Sequence, residues 1–153
     1  MSRSFGLDAL TALEAFKNAV ERFRDDILNE DLARDCAIKA WHLCDYAFKE
    51  LDSKSQFYKL ENLKKHVKDC CPELAYLQDI CNASKHVEIT YPSNIDETNH
   101  YRGDFCPKDF DSRDFDTSRL EIKLSDGQTI PYIYVVDRAV DFWSKFFDDY
   151  GLS

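Results

Sequence analysis

Residues 7–27 read LDALTALEAFKNAVERFRDDI, and the spacing of their large apolar side chains predicts an amphipathic helix. These side chains alternate three and four positions apart along the segment, at Leu13, Phe16, Val20, Phe23 and Ile27. In a helix this spacing puts them on one face and leaves most of the charged residues to the other. Such a helix has to bury its apolar face against another element, so the segment favours a helical bundle.

Four more helices are predicted along the chain. Asn29 is the expected N-cap of a helix over about 30–51. A stripe of mostly small residues on that helix implies close approach to a neighbour: Ala33, Cys36, Ala40, Cys44, Ala47 and Leu51. Two further helices are expected over about 54–69 and 72–88, the second starting at Pro72, whose missing N–H suits a first turn. Asp137 is the expected cap of the last helix, over about 137–150, which is apolar around most of its circumference.

Residues 119–135 predict a β-hairpin before the last helix. Leu120, Ile122 and Leu124 alternate with charged residues, and Asp126-Gly127 indicates a two-residue type I′ turn. The pairs expected in that register are Leu124 with Thr129, Ile122 with Pro131 and Leu120 with Ile133. Tyr132 and Tyr134 then lie together on the outer face, and Pro131 puts its strand at an edge.

The predicted fold is therefore a single, mainly α domain over residues 1–153. It is a four- to five-helix bundle with a small β-hairpin inserted before the C-terminal helix. Residues 90–117 are expected to be a long acidic loop, either a solvated excursion or a functional flap. No apolar run reaches the roughly 18 residues of a membrane-spanning helix, and no signal-peptide pattern is present. A cytoplasmic protein without membrane partners is expected.

Charge and composition narrow the function. The formal net charge is −9, which disfavours RNA or nucleotide binding unless a local basic pocket overcomes the overall field. Glycine-rich phosphate loops and Gly-x-Ser-x-Gly elbows are absent, which disfavours P-loop NTPases, Rossmann enzymes and serine hydrolases. The six cysteines form no Cys-x-x-Cys pair, so they are expected to be reduced, buried or semi-buried thiols. No metal and no cofactor is expected.

The candidate chemistry centres on Cys81-Asn82-Ala83-Ser84-Lys85-His86. Asn82, Lys85 and His86 fall on one face of a helix, where a histidine is suited to transferring protons or contacting phosphate. If the second and fourth helices are neighbours, His42 and Asp45 would converge with His86. That group has three interpretations: a proton-transfer pair, a two-His, one-carboxylate metal site, or ordinary hydrogen bonds at a helix interface. His66 is expected to be solvated surface, and His100 lies in the acidic loop.

The motifs 40–46 (AWHLCDY) and 79–86 (DICNASKH), with Phe142-Trp143 near the end, resemble the HEPN superfamily of small helical bundles found in prokaryotic toxin and defence systems. More narrowly, they resemble an uncharacterised bacterial branch of it. The resemblance implies a dimer with two motifs facing one cleft. It also implies His86 as the proton-transfer residue and Asn82 as its polar companion, as in metal-independent ribonucleases.

One residue of that pattern is missing. The superfamily places an arginine shortly before the histidine, but this chain has Asp79, Ile80 and Cys81 there. Lys85 is a poor substitute for the bidentate guanidinium that would hold a phosphate. The first hypothesis is therefore a degenerate, non-catalytic homodimeric binding or regulatory module with a protein partner. The alternative is a ribonuclease or nucleotide-processing enzyme that uses His86. The further candidate binding residues are Trp41, His42, Asp45 and Asp79.

Overall fold

The computed structural model describes residues 8–51, 56–85, 95–101, 119–124 and 126–152. Within these ranges the protein is mainly helical, with a small antiparallel hairpin before the C-terminal helix, which confirms the predicted fold class. The elements in chain order are α1 (Ala9–Arg24), α2 (Glu30–Glu50), α3 (Leu60–Cys70), α4 (Pro72–Lys85), β1 (Ile95–Tyr101), β2 (Arg119–Leu124), β3 (Thr129–Pro131) and α5 (Tyr132–Asp149).

Local capping residues mark the starts of the first two helices, but the start of the third was not predicted correctly. Asp8 caps α1 by accepting from the Thr11 N–H at 2.7 Å. Asn29 caps α2 by accepting from the Leu32 N–H at 3.0 Å, which confirms the predicted cap. The start expected at residue 54 for the third helix is wrong, because α3 begins at Leu60 and residues 56–59 are bent or extended. The bent segment carries Phe57, which is buried against the aromatic side chains of α5.

Helix α2 lies at the centre of the bundle, packed against α1, α3, α4 and α5. The predicted stripe from Ala33 to Ala47 is buried, with each of its members 5% exposed or less. The prediction that this stripe packs against neighbouring helices is therefore confirmed by its burial. The largest fully buried side chains come from all five helices and from β2, and they include Phe16, Phe23, Leu43, Leu63, Trp143 and Phe147.

The last helix begins at Tyr132, so the predicted start at Asp137 and the predicted strand through residue 135 are wrong. Tyr132 is 2% exposed, and its hydroxyl donates to the Ala33 carbonyl of α2 at 2.6 Å. Eleven residues later along α5, the Trp143 indole N–H donates to the Ala40 carbonyl at 3.0 Å. Tyr132, Val135 and Val136 are buried at helical spacing, so packing onto α2 selects the helix over a continued strand.

The sheet has three strands in the order β1-β2-β3, all antiparallel. Leu120, Ile122 and Leu124 are buried as predicted, and β3 with Pro131 is an edge strand as predicted. The predicted register is wrong by one residue, because Ile122 pairs with Ile130 and Glu121 with Pro131.

The register differs because the turn closes at a different pair of residues. Leu124 N–H donates to the Gln128 carbonyl at 2.7 Å, whereas the predicted two-residue turn pairs Leu124 with Thr129. Gly127 closes the observed turn with φ +90°, a backbone conformation that favours glycine.

The acidic segment 90–117 is not a loop throughout. Residues 95–101 form β1, which pairs with all of β2 and has a register irregularity between Ile95 and Glu97. The rest of that segment lies outside the described residues, so its role as a flap stays a prediction. No helix among the described residues is both long and apolar enough to cross a membrane.

Candidate functional site

The predicted catalytic segment at the end of α4 is only partly described. His86 lies outside the described residues, and Lys85 is the last residue of α4. Asn82 is half-buried, Cys81 is fully buried, and Asp79 is 8% exposed. This part of α4 is thus packed into the bundle, and the predicted grouping of His86 with Asn82 and Lys85 stays a prediction.

His42 on α2 contacts α4, as expected for neighbouring helices. Its Nε2 atom lies 3.8 Å from Sγ of the buried Cys81. His42 also lines a cavity of about 140 Å³ together with Lys39 and Tyr46. Asp45, one turn later on α2, is half-buried. The His42–Cys81 contact fits the interpretation of His42 as a polar group at a helix interface.

Trp41 packs under α3. The indole is 5% exposed, and the ammonium groups of Lys64 and Lys68 lie 5.8 and 6.0 Å from the centre of the ring. These distances are within the range of cation–π attraction, so Trp41 helps to hold α3 against α2. Among the residues that the structure describes, no group of three or more His, Cys, Asp or Glu side chains is arranged to hold a metal ion.

A cavity of about 420 Å³ lies between the C-terminal half of α3, with Cys71 just after it, and one face of α5. Its volume is in the range of small-molecule sites, which span roughly 300–1,000 Å³. We call it the α3–α5 cavity. Ten residues line it: His66, Cys70, Cys71, Arg138, Asp141, Phe142, Lys145, Phe146, Asp149 and Tyr150.

One wall of the α3–α5 cavity is aromatic. Phe146 and Tyr150 stack with their ring centres 4.4 Å apart, and Phe142 lies 5.8 Å from Phe146. Phe57 packs behind them, 5.8 Å from the Tyr150 ring and 5.0 Å from the His66 imidazole. Residues one turn apart on α5 form this wall, and the contacts with Phe57 restrict its movement.

The rim carries charges of both signs. Lys145 Nζ lies 2.9 Å from Asp149 Oδ2, and the hydrogen bond and charge of Asp149 raise the pKa of Lys145. Arg138 Nε lies 3.7 Å from Oε1 of Glu73, at the start of α4. Both cations are at least half exposed in their side chains, so these ion pairs are weak and open to exchange with a ligand.

The two adjacent cysteines have opposite environments. Cys70 is exposed at the cavity, and its Sγ lies 3.6 Å from Nε2 of His66, one turn earlier on α3. Cys71 is buried, with Sγ 3.7 Å from Glu73 Oε2. Burial, followed by the charge of Glu73, raises the pKa of the Cys71 thiol to about 11. The expectation of buried or semi-buried thiols holds for Cys36, Cys44, Cys71 and Cys81 and is wrong for Cys70.

Sequence reasoning did not find the α3–α5 cavity. His66, interpreted as solvated surface, is half-buried, packs on Phe57 and lines the cavity. The available signal was the i, i+4 spacing of His66 and Cys70, which puts both side chains on one helix face. The charged and aromatic partners come from α5, about 70 positions later, and no local pattern connects them to α3.

Comparisons with protein-family models, with curated proteins and with solved structures found no match to this chain. The observed features therefore define its class by themselves: a helical bundle with a small antiparallel sheet and a ligand-sized cavity between α3 and α5.

Proposed function

We propose that this chain is a non-catalytic, HEPN-like dimeric binding and regulatory module of a bacterial defence or toxin-type system, and that the α3–α5 cavity holds a small ligand. The observation that carries the ligand-binding proposal is the cavity of about 420 Å³ itself, with an aromatic wall and charged groups of both signs at its rim. Ligand sites characteristically combine an apolar enclosure with a few polar groups that orient the ligand.

The chemistry of the rim supports a ligand with a flat apolar part and at least one charged group. Phe142, Phe146 and Tyr150 provide ring surface, and Arg138 and Lys145 provide cationic donors. Each cation already has an acidic neighbour, so a ligand carboxylate or sulfonate would replace one weak ion pair by another. Affinity for such a ligand would come mainly from burial of its apolar part.

Three observations support a binding role over a catalytic one. The superfamily arginine is absent from the sequence around Asn82. The residues just before Asn82 on α4 are packed into the bundle, with Cys81 fully buried. A net charge of −9 also opposes RNA and suits a basic protein partner.

The ligand-binding proposal is tested with anilinonaphthalene sulfonate, which has an aromatic body and one anionic group. We expect the folded protein to enhance the fluorescence of the probe in a saturable way at neutral pH. Near-UV circular dichroism of each variant checks that it is folded. Asp141 is exposed at the cavity, and Asp141→Trp introduces a large ring that narrows it. This variant should weaken probe binding about tenfold or more, equivalent to about 1.4 kcal/mol.

Lys49→Ala is the matched control, because Lys49 is exposed at the end of α2 and does not line the cavity. It should bind the probe like the wild type. Equal binding by the wild type and Asp141→Trp would refute the assignment of the cavity as the site.

The ribonuclease alternative is tested on the same preparations. We expect the wild type to leave single-stranded and structured RNA intact and not to slow growth when it is expressed. RNA cleavage that His86→Ala lowers by about 10²–10⁴, the range for a positioned acid–base residue, would establish the enzyme instead.

A further inference from the structure

Cys70 and His66 form a thiol–imidazole pair at the α3–α5 cavity. The Sγ atom lies 3.6 Å from Nε2 and 3.9 Å from Nδ1, within hydrogen-bonding reach for sulfur. Phe57 packs against the imidazole with ring centres 5.0 Å apart, which restricts the orientation of the ring. A nucleophile beside a base that a third group holds in place is the arrangement that activates cysteine thiols.

The other described cysteines have environments that disfavour a reactive thiolate. Cys71 is 2% exposed and beside the Glu73 carboxylate, and both conditions disfavour a thiolate. Cys36, Cys44 and Cys81 are also buried. Among the described cysteines, Cys70 alone combines exposure with a nearby base and a cavity.

The cavity next to Cys70 has room for a small molecule and offers partners for charges of both signs. Arg138 and Lys145 line it and would pair with carboxylates of a ligand, and Asp141 and Asp149 line it and would pair with its ammonium groups. A zwitterionic peptide-like thiol carries both kinds of group. Its disulfide would therefore find partners for both kinds of charge in the lining of the same cavity as Cys70.

We propose that Cys70 is a thiol–disulfide exchange site that accepts the disulfide of a small zwitterionic thiol, with His66 as the base. His66 takes the thiol proton, and the Cys70 sulfur attacks one sulfur of the disulfide. A new S–S bond forms as the old one breaks, and the leaving thiolate takes the proton from His66 and departs as a thiol. The proposal rests on the proposed function only in that it uses the same cavity.

The probe is glutathione disulfide, and bis(2-hydroxyethyl) disulfide is the uncharged comparison. Cys106 lies outside the described residues, so the tests use the full chain with Cys106→Ser. Intact-mass and peptide mass spectrometry should show one glutathione adduct, located on Cys70 and removed by dithiothreitol. Cys70→Ser, an exposed substitution, should abolish the adduct, whereas Cys71→Ala should keep it. An adduct elsewhere, or none on Cys70, would overturn the proposal.

Two further variants test the roles of the base and the charges. His66→Gln should slow exchange at pH 7 roughly tenfold, and raising the pH should restore part of the lost rate, because hydroxide then takes the thiol proton in place of the imidazole. Lys145→Gln should slow glutathione disulfide about two- to fivefold, the range for one exposed ion pair, and leave the uncharged disulfide unaffected. An unchanged pH profile in His66→Gln would remove its role as the base. Equal slowing of both disulfides in Lys145→Gln would remove the charge selectivity.

The experiments separate the two proposals. Probe fluorescence that depends on the cavity, without an adduct on Cys70, refutes the exchange site and leaves the binding module standing. An adduct on Cys70 without probe binding supports the exchange site and refutes the ligand-binding proposal.

Discussion

Replacing Tyr132 with Phe tests the packing that starts α5. The hydroxyl of this 2%-exposed residue donates to the Ala33 carbonyl at 2.6 Å, and its ring packs edge-on against Phe23 at 5.4 Å. Phe keeps the ring contact and loses one buried hydrogen bond, which contributes about 0.5–1.5 kcal/mol. The Ala33 carbonyl keeps its partner within α2, so no polar group is left unpaired. We therefore expect a loss of about 1 kcal/mol in the free energy of unfolding.

The measurement is urea unfolding followed by far-UV circular dichroism. With an unchanged slope m of about 1–3 kcal/mol/M, the midpoint should fall by roughly 0.3–1 M. The melting temperature should fall by about 2–4 °C, as is typical of a 1 kcal/mol loss in a chain of this size.

Tyr134→Phe is the matched control, since Tyr134 is 50% exposed on the same helix. Its effect should stay within about 0.5 kcal/mol. A continued hairpin strand would put Tyr132 and Tyr134 on the same outer face. Equal effects of the two substitutions would therefore refute the buried start of α5.

Three other predictions concern pH, assembly and metal. Burial raises the pKa of the Cys44 thiol from 9.0 to about 12, so its contribution to stability is complete below pH 9 and is lost as the pH rises towards 12. Cys44→Ala should make the free energy of unfolding in urea fall less steeply between pH 8 and pH 10.5, by up to about 1.4 kcal/mol per pH unit, and parallel profiles of variant and wild type would contradict this. Light scattering at micromolar concentration should give twice the 17.9 kDa chain mass, and a monomer would refute the dimer. Prolonged EDTA treatment should leave the melting temperature unchanged, and a large fall would reveal a structural metal.

Patterns within single segments were enough to predict much of the fold. The helical class, the Asn29 cap and the buried stripe of α2 follow from periodicity and side-chain chemistry over one or two turns. The inward face of β2, with Leu120, Ile122 and Leu124, follows from simple alternation. Each of these features depends on residues that lie close together in the chain.

Two features that the sequence did not predict depend on residues far apart in the chain. Tyr132 begins a helix because its side chain is buried against α2, although the local alternation equally suits a strand. Residues 95–101 form a strand because β2 supplies the backbone partners that an isolated segment lacks.

The candidate site also combines features set by residues close together in the chain with features set by distant residues. The sequence by itself determined that His66 and Cys70 share a helix face, since they lie one turn apart. Only the tertiary structure decided that this face meets Arg138, Lys145 and the aromatic wall of α5 across a cavity. The physical reason is that packing between helices is selected by the fit of whole faces, and that fit is not a property of either helix alone.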